Sequence, residues 1–256
     1  MEIRRYQEVG MNTTAYSKNQ FDSNYPDNMH RYYWTHARNK IILNEIVKNN
    51  LNKLNLLEIG CGKGIVVNYL RNHHINCYGL EVGEIEVNDT MEYFIQTKKE
   101  LHQLDPVFLE TIDVILLLDV IEHVENPDIL IHEIYNHCKK AKYILFTVPA
   151  CQKLWSNYDT FYGHYRRYDL EMMEELSKKN NFKIIKNRYF FHSLYLPAYL
   201  VTKTFKKQRG TNPIPPNTTI KKLIHLLLSK FFQWEYSLSF EKIKGTSILS
   251  IIEIQR

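Results

Sequence analysis

The stretch LLEIGCGKG, residues 56–64, decides how the chain is read. An apolar run delivers a carboxylate at Glu58 and then meets three glycines, Gly60, Gly62 and Gly64, interleaved with Cys61 and Lys63. Glycine tolerates the left-handed backbone of a sharp turn, and its missing Cβ lets a ligand come close to the main chain. A helical pattern over residues 63–72 follows, so the order is strand, glycine turn, helix. The dinucleotide version of this turn is spaced G-x-G-x-x-G and lays a pyrophosphate on the helix N-terminus. Here the third glycine position is Ile65. Glu58 stands two residues before the first glycine, where it would repel a pyrophosphate but could bind an ammonium group.

Working outward, short apolar runs at 54–59, 75–80, 112–118, 143–148, 182–186 and 247–254 predict strands. Helical patterns fall at 36–49, 63–72, 127–138 and 170–180, with Asn126 and Asp169 as N-caps and Pro127 at the first helical position. The alternation predicts an α/β fold, a Rossmann-like doubly wound and mostly parallel sheet. Residues 1–35 read as an N-terminal arm and cofactor lid, and residues 36–256 as the main domain. An insertion at about 190–244 reads as a small helical cap, broken by a loop holding Pro213, Pro215 and Pro216.

The chain has 256 residues, 44% apolar and 24% charged, enough for a core and unlike a disordered composition. Four scattered cysteines form no C-x-x-C pair, so neither a disulfide framework nor a structural metal is expected. The start lacks a signal-peptide apolar region and no run of 18 apolar residues occurs, which predicts a cytoplasmic protein. A net charge of +5 does not by itself imply nucleic acid, and none is expected as a partner.

Glu81 ends the second predicted strand, where a carboxylate can accept both hydroxyls of a ribose. A ligand with a ribose, an amino-acid ammonium and no phosphate is S-adenosylmethionine, leaving S-adenosylhomocysteine after transfer. A glycine turn with two incidental acids, and a dinucleotide site, are the competing readings.

At these residues the chain resembles the class I S-adenosylmethionine-dependent methyltransferases, residues 56–64 matching their motif I and Glu81 their ribose acid. The segment IDVILLLDVIEHVENP, residues 112–127, is similar to a motif of the ubiquinone-methyltransferase-like branch. The segment VPACQKLWSNYDTFYGHYRRYDL, residues 148–170, resembles a subgroup with a GHYRRY loop, many of whose members modify cell-surface saccharides. The resemblance covers about residues 33–190, and GTSILSIIEI at 245–254 is similar to the family's last strand. It implies a seven-stranded sheet and cofactor contacts from Glu58, Gly60, Cys61, Gly62, Gly64, Glu81, Leu118 and Asp119. It also implies that Arg38 meets the cofactor carboxylate while Tyr33 and Trp34 close over it, with a surface helix arginine as the alternative for Arg38. The chain departs from the family after the third strand. There, YFIQTKKELHQLDP offers no clear Asp for the adenine amine, and that contact is left unassigned.

Methyl transfer from a sulfonium is an in-line displacement, and a base is needed only if the acceptor still carries its proton. His123 and His164 are the candidate bases, His123 having a purely structural role as its alternative. Glu122 either floors the cofactor site or orients His123, and Asp159 is a polar contact or a turn residue. Arg166 and Arg167 suit an anionic acceptor, or else an ion pair holding the loop. Trp155, Tyr162 and Tyr168 could wall an apolar or sugar-like acceptor, or simply pack the loop. The stretch IKKLIHLLLSKFFQW, residues 220–234, follows Lys203, Lys206, Lys207 and Arg209. It reads as a packed cap helix, with weak contact to an anionic membrane as the alternative. The function expected is methylation of an oxygen or nitrogen on a small saccharide- or phosphate-containing acceptor in cell-surface polysaccharide biosynthesis. The alternatives are a lipid-tailed, quinone-like acceptor, an NAD-dependent oxidoreductase, and a binding module without catalysis.

Overall fold

Strands covered on both faces need almost unbroken apolar runs, and the chain builds its sheet from such runs. The computed structural model describes residues 18–87, 89–204, 208–238, 240 and 243–255. The elements begin with α1 (Lys18–Asn24), α2 (Tyr33–Lys48), β1 (Leu56–Ile59), α3 (Ile65–Arg71), β2 (Cys77–Glu81) and β3 (Ile95–Thr97). Next come α4 (Pro106–Leu109), β4 (Val114–Leu118), α5 (Pro127–His137), β5 (Tyr143–Pro149), α6 (Asn157–Phe161) and α7 (Leu170–Lys179). The chain continues through β6 (Phe182–Phe190), α8 (Tyr195–Tyr199), α9 (Thr219–Ser237) and β7 (Ser247–Ile254). The seven strands lie in the order β3-β2-β1-β4-β5-β7-β6, with β7 antiparallel to both neighbours and the other pairs parallel.

Alternate residues of each strand feed opposite layers, as the pleat requires. Leu57, Ile115, Leu117, Ile144 and Phe146 pack beneath α5 and α7 with Leu130, Ile134 and Met173. Leu56, Val114, Leu116, Leu145 and Leu249 pack on the other face with Ile41, Ile42, Val67, Leu70 and Phe232 of α2, α3 and α9. All four cysteines are free and buried.

The predicted doubly wound sheet is present, with shifted boundaries. β2 runs on to include Glu81, and β6 extends four residues past its predicted end, to Phe190. α2 starts at Tyr33, three residues before the predicted helix, because Tyr33 and Trp34 already pack against the core. β3, three residues long, has no predicted counterpart. The stretch between β6 and β7, where a cap is expected, holds α8 and α9. In it α9 docks on α2, with His36 Nδ1 2.7 Å from Ser229 Oγ and the Tyr33 N–H donating to His225 Nδ1 at 3.2 Å. No described helix is long and apolar enough to cross a membrane. Residues 1–17 of the expected arm, and Lys206 and Lys207, lie outside the described residues.

Candidate active site

Sheet order reverses between β1 and β4, and the crevice at the C-terminal ends of these strands is where doubly wound folds take ligands. The glycine loop lies there. Gly60, Gly62 and Gly64 have φ of 74°, 52° and 71°, in the left-handed region. A Cβ on Gly60 would come within 2.8 Å of Val120 Cγ2, so the loop admits neither the side chain nor its preferred backbone.

Two carboxylates frame the loop. Both oxygens of Glu81 grip backbone amides: the Gly62 N–H donates to Oε2 and the Gly83 N–H to Oε1, each at 2.9 Å. Glu58 is buried, and its Oε2 has no hydrogen-bond partner among the described residues. Burial, only partly offset by the Arg38 charge, pushes its carboxyl up to about 8. Arg38 is buried as well, with Nη2 2.7 Å from Asp119 Oδ2 and donating to Thr147 Oγ1 at 3.1 Å. Its guanidinium lies 5.2 Å from the centroid of the Trp34 ring, and its Nε has no partner among the described residues. Tyr25 closes against the loop from the N-terminal side: a Cβ on Gly62 would stand 2.2 Å from its hydroxyl. Burial raises the Tyr25 phenol, and the charges of Glu81 and Glu58 raise it further.

The loop after β5 brings a second cluster to the same edge, with Asp159 at its centre. His164 Nδ1 is 2.9 Å from Asp159 Oδ1, Arg167 Nε donates to that oxygen at 2.7 Å, and Arg167 Nη2 donates to Oδ2 at 3.1 Å. The Ser156 N–H also donates to Oδ2 at 2.8 Å. Burial alone would raise the Asp159 carboxyl. The His164 hydrogen bond and the Arg167 charge overcome it and hold the group at about 2. The His123 ring stands edge-on to His164, with centroids 4.6 Å apart. Burial above all pushes His123 down to about 3, so it is neutral at neutral pH. Glu122 is driven the other way, first by burial and then by the charge of Asp119, which put its carboxyl well above the usual carboxylate range.

Both clusters open onto one cavity of about 820 Å³, whose wall includes Glu58, Gly60, Glu81, Asp119, His123 and His164. Arg38, Cys61, Leu118 and Arg167 also reach it, while Gly62 and Gly64 shape the loop from behind. Trp155, Tyr162, Arg166 and Tyr168, expected to contact an acceptor, do not line it. Tyr162 is buried and its hydroxyl donates to the Thr211 carbonyl at 2.8 Å. The Tyr168 hydroxyl donates to the Ile121 carbonyl at 3.1 Å, and Arg166 donates to the Glu125 carbonyl. These side chains hold the loop in place.

Several wall residues escaped the sequence reading. Tyr25 lies in a polar N-terminal stretch without periodicity, and Arg209 in the proline-rich loop. Tyr158 carries no motif of its own. Glu100 follows β3 and supplies a carboxylate near the position left unassigned for adenine. A strand of three residues gave that position no anchor.

The pocket fits the cofactor inferred from the sequence. It has a glycine cradle that a Cβ would obstruct, a buried carboxylate with an unpaired oxygen for an ammonium, and a guanidinium nitrogen still able to donate. Glu122, His123 and His164 also bring one potential metal-ligand atom each to within 4.8 Å of one another. The Arg167 guanidinium shares the Asp159 carboxylate with His164 and opposes a dication there.

Comparison with known proteins agrees with this geometry. Residues 30–187 match a family model described as a methyltransferase domain. The chain is 28% identical over 136 residues to the ubiquinone biosynthesis O-methyltransferase of Rickettsia felis, covering 47% of this chain and 54% of that protein. The Rickettsia typhi enzyme of the same name is 30% identical over 115 residues, covering 41% and 45%. The chain thus spans about half the length of the curated relatives it matches. Among solved structures, coclaurine N-methyltransferase bound to N-methylheliamine and S-adenosylhomocysteine superposes with a TM-score of 0.55. Its identity is 11%, over 97% of this chain and 85% of that one. The plantazolicin methyltransferase with S-adenosylhomocysteine gives 0.54 at 13% identity, over 93% and 90%. At such identities the likeness is one of fold. With more than half of its length inside the family match, the chain belongs to the methyltransferase-domain family and has the architecture of an S-adenosylmethionine-dependent methyltransferase.

Proposed function

We propose that the protein transfers a methyl group from S-adenosylmethionine to a hydroxyl oxygen of a small acceptor held between the sheet edge and the cap. The observation that carries this reading is His164, hydrogen-bonded to the buried Asp159, on the wall of the same cavity as Glu58 and Glu81. Bound there, S-adenosylmethionine supplies a methyl group on a positively charged sulfur. Glu58 would take its ammonium, Arg38 its carboxylate, Glu81 the ribose hydroxyls and Glu100 the adenine amine. An ionised Asp159 can only accept, so His164 carries its proton on Nδ1 and leaves Nε2 as the basic nitrogen. Nε2 then receives the acceptor's hydroxyl proton, and Asp159 steadies the imidazolium that forms. His123, neutral and edge-on to His164, supports that ring.

For the acceptor, the cap wall favours an apolar body. Leu194, Pro197, Ala198, Val201 and Ile214 line the cavity on that side. Arg167 is committed to Asp159 and Arg166 to a carbonyl, which weakens the anionic alternative expected of them. The lipid-tailed, quinone-like acceptor, the class named in the curated relatives, therefore ranks first. A saccharide or phosphate-bearing acceptor remains the second reading. Arg209 favours it, lying on the cavity wall 5.0 Å from the centroid of the Tyr158 ring. The test is mass spectrometry of products formed with methyl-labelled cofactor. The acceptor panel holds hydroxylated aromatics with and without a lipid tail, sugar nucleotides and phosphorylated metabolites. Labelled methyl on a hydroxyl of a tailed compound is the expected outcome. Transfer to nitrogen alone, or turnover unchanged in His164→Gln, would refute it.

A further inference from the structure

α9 carries two apolar faces, and only one of them is used among the described residues. Ser229, Phe232, Glu235 and Tyr236 are buried on the side facing α2 and β6. On the opposite side Ile220, Leu223, Ile224, Leu227, Phe231 and Trp234 form a continuous stripe at helical spacing. They are exposed: Ile220 by 73%, Leu227 by 57% and Trp234 by 58% of their surface. A soluble helix normally turns polar residues to water, and a stripe of this size marks a contact surface. None of the six lines the cavity.

The charge around the stripe identifies what it meets. Residues 200–234 contain seven Lys and Arg and no Asp or Glu, and the acid-free run extends back to residue 176. Lys221, Lys222 and Lys230 are on α9 itself, and Lys203 and Arg209 on the segment leading to it. A second copy of the chain on this face would set one basic rim against another, an arrangement that like charges oppose. An anionic bilayer supplies the complement to both features, with acyl chains for the stripe and headgroup charge for its rim.

We infer that the outward face of α9 docks the protein on anionic phospholipid membranes, lying in the interface without spanning it. The cap that would rest on the lipid also supplies Pro197, Ala198 and Val201 to the cavity wall. Docking would thus set the apolar side of the pocket close to the bilayer. The inference stands apart from the proposed acceptor, because it is read by binding and not by turnover.

Sedimentation with vesicles of phosphatidylglycerol mixed with phosphatidylcholine, against phosphatidylcholine alone, tests it. The whole chain should partition at least about tenfold more strongly onto the anionic vesicles, and raising salt should weaken the binding. A Leu227→Glu/Phe231→Glu variant should lose the binding while keeping wild-type cofactor affinity, which serves as its folding check. Trp234 gives a readout in the unaltered protein. Its fluorescence should shift to the blue on anionic vesicles, and the shift should vanish in Trp234→Phe. Absence of vesicle binding, or equal binding to neutral vesicles, would overturn the inference. A concentration-dependent dimer abolished by Leu227→Glu/Phe231→Glu, without vesicle binding, would also overturn it by giving the face to a second copy.

Discussion

Glu58 shows how burial can prepare a side chain for a ligand. With its carboxyl at about 8 in the free protein, Glu58 is mostly protonated at neutral pH. An arriving ammonium favours the ionised form, so binding must release a proton. Affinity for S-adenosylhomocysteine should therefore rise as pH increases from 6 toward 8, by up to about tenfold per unit. Titration calorimetry in buffers of different ionisation enthalpy would detect the proton, and Glu58→Gln should flatten the slope. At the other cluster, His164→Gln should lower kcat by about 10²–10⁴. Asp159 is held at about 2, below its ordinary 3.8, so its contribution to stability is present above pH 4 and is lost as pH falls toward 2. That contribution is worth about 2 kcal/mol, and urea unfolding of Asp159→Asn should lack this acid-dependent loss. The metal-free reading of Glu122, His123 and His164 predicts turnover unchanged by a chelator. At this scale the glycine loop, Glu58 and Glu81 were readable because strand, turn and acid occupy fixed offsets. Tyr162 and Tyr168 were not, since a loop's sequence does not say which way an aromatic ring points. Both rings turned inward and spend their hydroxyls on carbonyls.

Elements were legible in proportion to how apolar they are. β4 and β5 stand out as near-continuous apolar runs, whereas β6 was cut short at its polar residues Asn187 and Arg188. The structure shows why a charge is tolerated there: the Arg188 guanidinium lies 4.1 Å from the centroid of the Tyr236 ring and donates to the Leu238 carbonyl. No pattern within β6 could have announced a partner about fifty residues away. The entry to β7 is tight in another sense. A Cβ on Gly245 would fall 2.1 Å from the Phe190 carbonyl oxygen, a backbone atom that cannot swing aside. Gly245→Ala should cost roughly 2–4 kcal/mol by displacing β7 from β6, seen as a lower urea midpoint with an unchanged slope.

Across the whole molecule, segments distant in sequence meet over one edge of the sheet. Gln20 of α1 donates to the Phe161 carbonyl at 2.6 Å, and Tyr25 covers the glycine loop. Tyr25 is part of the cavity wall, so its ring would touch a ligand seated beside the glycine loop. Tyr25→Ala should speed S-adenosylhomocysteine dissociation by about tenfold, as expected for removing a well-packed aromatic contact, and stopped-flow fluorescence would measure it. The doubly wound order was predictable because βαβα alternation leaves few alternatives. The way the cap turns was not, since α9 is apolar on two sides and its sequence does not state which one faces inward. Phe190 and Ser247 are cross-strand partners, so residues 191–246 depart from the sheet and return to it at a single rung. Such a segment is a cassette: its two ends meet at one rung, so a change of length far from those ends leaves the strand registers on either side in place.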